Sequence, residues 1–393
     1  MNSDPVVILA ARRTPVGAFQ GVFATVTAPQ LGAAAIKAAL ADSGAAGTLV
    51  DEVILGCVLS AGIGQAPARQ AALGGGIPTS VPTTTVNKMC GSAMRAVMLG
   101  CDQILAGTAQ VVVAGGIESM TNAPYLLPKA RAGYRMGNQE VVDHMFYDGL
   151  QSPWDGQLMG CFAEATSEKY AFSRKAQDDF AAESVRRALA AITRGDFAAE
   201  ITAVTAKTRK GELVVDKDET PFTLDIAKIP TLKPAFKKDG TVTAASSSSI
   251  SDGAAALVLT RASVAASQGL KPLARILGYS SFAREPEWFT LAPVGAIAKL
   301  LRQLNWQARD VDLYEINEAF AAVPMAAIKD LGLDHAKVNV NGGACALGHP
   351  IGATGARIMT TLLHALRARG QKRGIASLCI GGGEATAIAI ELV

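Results

Sequence analysis

Histidine, cysteine and aromatic residues are scarce in this sequence. Its 393 residues include 4 His and 6 Cys, and Phe, Trp and Tyr together make up 5%. The cysteines are Cys57, Cys90, Cys101, Cys161, Cys345 and Cys379. No two are spaced C-x-x-C, which excludes zinc knuckles and thioredoxin-type redox pairs; no metal is expected. So few cysteines in so long a chain make no disulfide scaffold, and the reduced thiols of a cytoplasmic protein are expected. Charge is low, at 18%, and balanced: 37 Lys+Arg against 34 Asp+Glu leaves +3. A nucleic-acid groove needs a denser basic face than that. The apolar run at residues 6–11 is too short for a signal peptide, and Arg follows rather than precedes it. No run approaches ~18 uncharged apolar residues, so no membrane span is expected.

What is abundant is apolar residues and glycine. Hydrophobic residues reach 49%, with 39 Gly and 17 Pro, enough for a large core and two or three domains. Short apolar runs at 6–10, 53–55, 111–114, 256–260, 313–316, 377–380 and 385–390 read as buried strands. Helical patterns at 30–41, 92–106, 295–304 and 355–369 alternate with them. The fold class is therefore α/β, with largely buried sheets. The middle of the chain is richer in charge and turns. It holds one amphipathic helix, with Ser173 as N-cap and Gly195 just past its end, then an irregular stretch with hairpin character at 205–231. This block reads as an insertion.

An internal repeat runs through the rest. Val50-Asp51 returns as Val311-Asp312, Val86-Asn87 as Val338-Asn339, and the strand end Gly115-Gly116 as Gly381-Gly382. The first two offsets are 261 and 252 residues, and the order is kept. Two copies of one domain are expected.

Four positions could carry chemistry. Cys90 stands just before the apolar helix at 92–106, where unsatisfied N–H groups and the helix dipole favour thiolate and can hold an oxyanion. A small core residue is the equally weighted alternative. His349 lies in a run with five glycines in 15 residues, from Asn341 to Gly355. Such a loop cradles a phosphate or presents one imidazole; its spacing matches neither G-x-G-x-x-G nor the P-loop, and Lys-Ser/Thr is missing. Cys379 ends a buried strand before Gly381-Gly382-Gly383, where the backbone can approach a ligand closely. Asn317 also ends a strand. A thiol and an imidazole suit covalent acyl transfer, and a second thiol suggests an acid/base step beyond hydrolysis.

Together these segments resemble the thiolase family, which makes or cleaves 3-ketoacyl-CoA. The likeness spans nearly the whole chain. It includes Ala11-Arg12-Arg13-Thr14-Pro15, the Cys90 segment, Gly115-Gly116-Ile117-Glu118-Ser119-Met120, Ser251-Asp252-Gly253, Asn317-Glu318-Ala319-Phe320, Gly348-His349-Pro350 and Cys379-Ile380-Gly381. It implies a duplicated five-layer αβαβα fold with an inserted loop domain. The expected divisions are 1–119 with 250–271 for the first α/β domain, 120–249 for the insertion and 272–393 for the second.

The resemblance also implies roles. Cys90 carries the acyl group, His349 activates it, and Asn317 holds a water in a first oxyanion site. Cys379 is the acid/base, and the N–H groups of Cys90 and Gly381 form a second oxyanion site. Ser248, Met159, Phe236, Phe320 and Leu158 match positions around bound CoA. Leu158 stands where the family often has His, and Phe289 where Met is frequent. No basic residue at 220–224 matches the usual one beside the adenine. CoA is then a substrate and product, with no permanently bound cofactor. Asn339-Val340-Asn341 is similar to the biosynthetic type, which interconverts acetyl-CoA and acetoacetyl-CoA; a degradative enzyme of broader chain length is the alternative. A non-catalytic CoA- or lipid-binding relative would have lost Cys90 or His349, and a ketosynthase would lack Cys379. The family implies a homotetramer built as a dimer of dimers, with residues 120–145 at the tetramer contact.

Overall fold

The computed structural model describes residues 4–209 and 211–393. Every strand expected from an apolar run is present, and most run longer. The run at 111–114 continues to Ser119, and all nine residues of Val111–Ser119 are buried. Glycines at 115 and 116 hide this extension from a hydrophobicity reading. Two strands carry no clear apolar signature: Thr83–Val86, at an edge, and the mixed Ala274–Ala283.

The first half orders its strands Thr83–Val86, Glu52–Gly56, Val111–Ser119, Ser251–Arg261, Val6–Arg13. The first three are parallel, and the last two join antiparallel. The second half runs Leu313–Ile316, Arg373–Ile380, Glu384–Leu392, Ala274–Ala283, again parallel and then antiparallel. Where Thr83–Val86 would recur, a single parallel bridge joins Tyr314 and Val338. The inferred repeat is therefore a shared strand order. Val7 and Ile8 pair with Arg275 and Ala274, so the two halves join edge to edge into one nine-stranded path, with the short strand Gly17–Ala18 added beside Ser251–Arg261.

Alternation along the strands sorts the layers. Val7 and Leu9 face one cluster with Val53, Leu55, Val113 and the helices Ala28–Ser43 and Pro67–Gly74. Val6 and Ile8 face a second, with Leu378, Ile388 and the helices Ser92–Ala106 and Thr354–Ala368. Ala385, Ala387 and Ala389 face a third, against Ala292–Leu304 and Ala322–Leu331. The order is helix, sheet, helix, sheet, helix. The Ser92 helix is buried on nearly every side, though Leu105 emerges at its far end with 42% exposure.

The insertion leaves and returns between Val111–Ser119 and Ser251–Arg261. Its helix Arg174–Arg194 is capped as expected: Ser173 Oγ accepts Ala176 N–H at 3.1 Å, and Gly195 closes it at φ 78°. The hairpin Val204–Thr208 with Gly211–Val215 follows. Arg13 of the first strand ties this block down, bonding Glu200 at 2.6 Å and Asp218 at 2.7 Å with all three side chains buried. Among the described residues, no helix is long and apolar enough to cross a membrane.

Candidate active site

The duplication brings the ends of equivalent strands together. Cys90 follows Thr83–Val86, His349 follows the Val338 bridge, and Gly381 follows Arg373–Ile380. All three line one cavity of about 410 Å³. Its walls are largely apolar, as a thioester site requires.

A tight turn presents Cys90. Met89 adopts φ 47°, Gly91 N–H bonds Lys88 carbonyl at 3.0 Å, and Ser92 Oγ accepts Lys88 N–H at 2.8 Å. Lys88 also pairs with Glu384, fastening this turn to the strand just past Cys379 and its glycines. The approach between halves is close. A Cβ on Gly116 would lie 2.1 Å from the Gly352 carbonyl in the histidine loop, so no other residue fits there.

The electrostatics reverse one expectation. A helix start lowers a thiol's pKa, and Cys90 does receive N–H groups, its own and that of Gly381. Burial outweighs both and pushes the thiol up to about 11. Cys90 rests as a thiol and needs a base. His349 fits that role. Burial, with the Arg357 guanidinium behind it, holds the imidazole down to about 3, so it rests neutral. Its Nδ1 lies 2.6 Å from Thr354 Oγ1, while its buried Nε2 has no hydrogen-bond partner among the described residues.

Asn317 is buried beside the histidine rather than on the cavity wall, its amide nitrogen 3.5 Å from His349 Nδ1. Cys379 is fully buried and also off the wall, one residue pair behind Gly381. Burial raises its thiol well above the ordinary value, and the neighbouring Cys90 adds to this. Cys345, near His349 in sequence, bonds Glu318 instead and is a packing residue.

Ser248, Met159, Phe236, Phe320 and Leu158 all line the same cavity. They come from four segments, held by Ser248 N–H on the Ala319 carbonyl at 3.0 Å and by the edge-to-face rings of Phe236 and Phe320. Sequence reasoning assigned no role there to Phe146, Leu150, Ile250 or Ile351, which also line it. Phe146 and Leu150 lie in the single short helical segment Met145–Leu150, and Ile250 and Ile351 in loops; stretches so short carry no periodic signal, so nothing in the sequence marks them.

Comparison with known proteins gives the family and the fold. The family model "Thiolase, N-terminal domain" matches residues 6–263, and "Thiolase, C-terminal domain" matches 270–392. The chain is 50% identical to the acetyl-CoA acetyltransferase of Pseudomonas aeruginosa over 387 residues, 98% of each chain. It is equally similar to the Escherichia coli acetyl-CoA acetyltransferase, 50% over 387 residues and 98% of each. The crystal structure of the Bacillus anthracis acetyl-CoA acetyltransferase superposes with a TM-score of 0.97 at 44% identity, covering 99% of both chains. That of the Acat5 thiolase of Ascaris suum in complex with coenzyme A does so at 0.94 and 42%, covering 99% of this chain and 100% of that one. With both family models matched end to end, this chain belongs to the thiolase family.

Proposed function

We propose that this thiolase condenses two acetyl-CoA into acetoacetyl-CoA and free CoA, and catalyses the reverse thiolysis. One observation carries the reading. A thiol that needs a base and an imidazole nitrogen without a partner share one apolar cavity, with the Gly381 N–H at the sulfur.

His349 Nε2 takes the Cys90 proton as the sulfur attacks the thioester carbonyl. The carbon–sulfur bond to CoA breaks, and the departing sulfur takes its proton from Cys379. Acetyl-Cys90, an imidazolium and a Cys379 thiolate remain. Cys379 then removes a methyl proton from a second acetyl-CoA. Once the Cys90 sulfur is acylated, the N–H groups of Cys90 and Gly381 serve the oxygen of its acyl group, and the His349 imidazolium helps hold the thioester oxygen that becomes the enolate. The enolate carbon attacks acetyl-Cys90, whose sulfur leaves and recovers its proton from His349. Asn317 orders a water for the first oxyanion. The raised thiol of Cys379 suits this cycle, because its thiolate forms only after the imidazolium exists.

The CoA chain lies along Ser248, Met159, Phe236, Phe320 and Leu158, and CoA comes and goes as substrate. Residues 1–119 with 250–271, 120–249 and 272–393 act as three units. The chain works in the cytoplasm as a tetramer, a dimer of dimers. Exposed Tyr125, Leu127, Met136 and Val141 on the insertion supply apolar area for a further subunit contact. The test is CoA-dependent thiolysis across 3-ketoacyl chain lengths. Acetoacetyl-CoA should be the best substrate; equal turnover of long chains would instead make the enzyme a broad degradative thiolase.

A further inference from the structure

Glu118 is fully buried at the end of strand Val111–Ser119, and no step above uses it. Its carboxylate accepts three backbone N–H groups, from Gly352 at 2.8 Å, Leu59 at 3.1 Å and Val58 at 3.2 Å. Gly352 stands three residues beyond His349. Val58 and Leu59 pack with Ile351 in one cluster, against Met89 and Cys90. One buried charge thus joins three segments around the reacting pair. The fit is close: a Cβ on Gly352 would lie 2.6 Å from Glu118 Oε2.

The groups facing this carboxylate are the Cys57 thiol at 3.9 Å, Asp252 and Cys90, none of them a cation. Burial without a counter-charge pushes Glu118 up to about 7. An acid whose folded value lies above its ordinary 4.5 weakens the fold as pH rises between the two. The ionised form is therefore not explained by stability. The ionised form offers every lone pair of both oxygens to these N–H groups, whereas a carboxylic acid must also place its own O–H among donors.

We propose that Glu118 is a positioning residue for acyl transfer: its carboxylate holds the His349 loop in register with the turn that presents Cys90. The proposal rests on the roles given above to Cys90 and His349. As the carboxyl protonates below about pH 7, the loop loses its anchor and turnover falls.

The test is Glu118→Gln in the full-length protein, with kcat and KM for acetoacetyl-CoA thiolysis measured across pH, and with the rate at which iodoacetamide alkylates Cys90. The expected result is a fall in kcat approaching ~100-fold, the scale of a misplacement of about 1 Å. KM should stay within about threefold of wild type, because the CoA wall is built by other segments. The acid limb near pH 7 should vanish, and alkylation should slow. Glu118→Asp keeps the charge and should keep the limb while recovering part of kcat. Wild-type kcat and alkylation in the Gln variant, or an unchanged acid limb, would overturn the proposal. Should the Gln variant not fold, a folded Asp variant without the limb overturns it equally. Absence of thiolysis in the wild type would count against the reaction assigned above, and the alkylation rates would still decide the positioning role.

Discussion

His349 Nδ1 and Thr354 Oγ1 lie 2.6 Å apart, and this contact selects the tautomer of the neutral ring. Thr354 donates its one hydroxyl hydrogen to the Pro350 carbonyl at 2.9 Å. Its oxygen must then accept from Nδ1–H. That tautomer leaves Nε2 bare, which is the state a general base needs. Thr354→Val removes the acceptor and frees the ring to turn. kcat should fall by up to about 10²-fold with KM little changed, read by steady-state thiolysis. An unaffected kcat would show that the threonine does not set the tautomer.

Cys90→Ala should abolish acyl transfer while CoA binding survives, because the pantetheine wall does not depend on the sulfur. Mass spectrometry after incubation with acetoacetyl-CoA should find an acetyl adduct on Cys90 in the wild type. No such adduct would rule out the covalent route.

Cys379→Ala should still accept an acetyl group from acetyl-CoA, with CoA leaving as its thiolate, yet condensation should drop by at least ~10²-fold, the scale of a lost proton-transfer group. Normal condensation by this variant would remove Cys379 from the acid/base role.

The reactivity of Cys90 should climb steeply with pH. Its thiol is pushed up to about 11, so below that value the thiolate fraction grows about tenfold per pH unit. Iodoacetamide alkylation, followed at the Cys90 peptide, should be about ten times faster at pH 9 than at pH 8 without substrate. A plateau already at pH 7 would mean a thiolate–imidazolium pair at rest.

Arg13→Met should destabilise the protein by about 3–5 kcal/mol in denaturant unfolding, because it leaves Glu200 and Asp218 buried without their partner. A change within ±0.5 kcal/mol would show that the insertion is anchored elsewhere.

The glycines and small residues that mark Cys90, His349 and Cys379 are local signals, and each stands where the sequence pattern put it, at the end of a strand or in the loop behind one. The cap at Ser173 and the stop at Gly195 are local as well, and both agree to the residue. The edge strand Thr83–Val86 and the cavity wall of Phe146, Leu150, Ile250 and Ile351 were not legible, because neither has a period for hydrophobicity to reveal.

The sequence by itself determined the α/β alternation, the repeated motifs and the candidate reacting groups, since apolar runs, repeat offsets and residue chemistry all lie along the chain; the five layers and the groups' roles were what the family resemblance implied. Only the tertiary structure decided their protonation. Burial overrides the helix start at Cys90, burial with Arg357 behind it holds His349 neutral, and Glu118 meets three N–H groups from two distant loops. Desolvation and charge act through space, and no spacing along the chain encodes which segments will enclose a group.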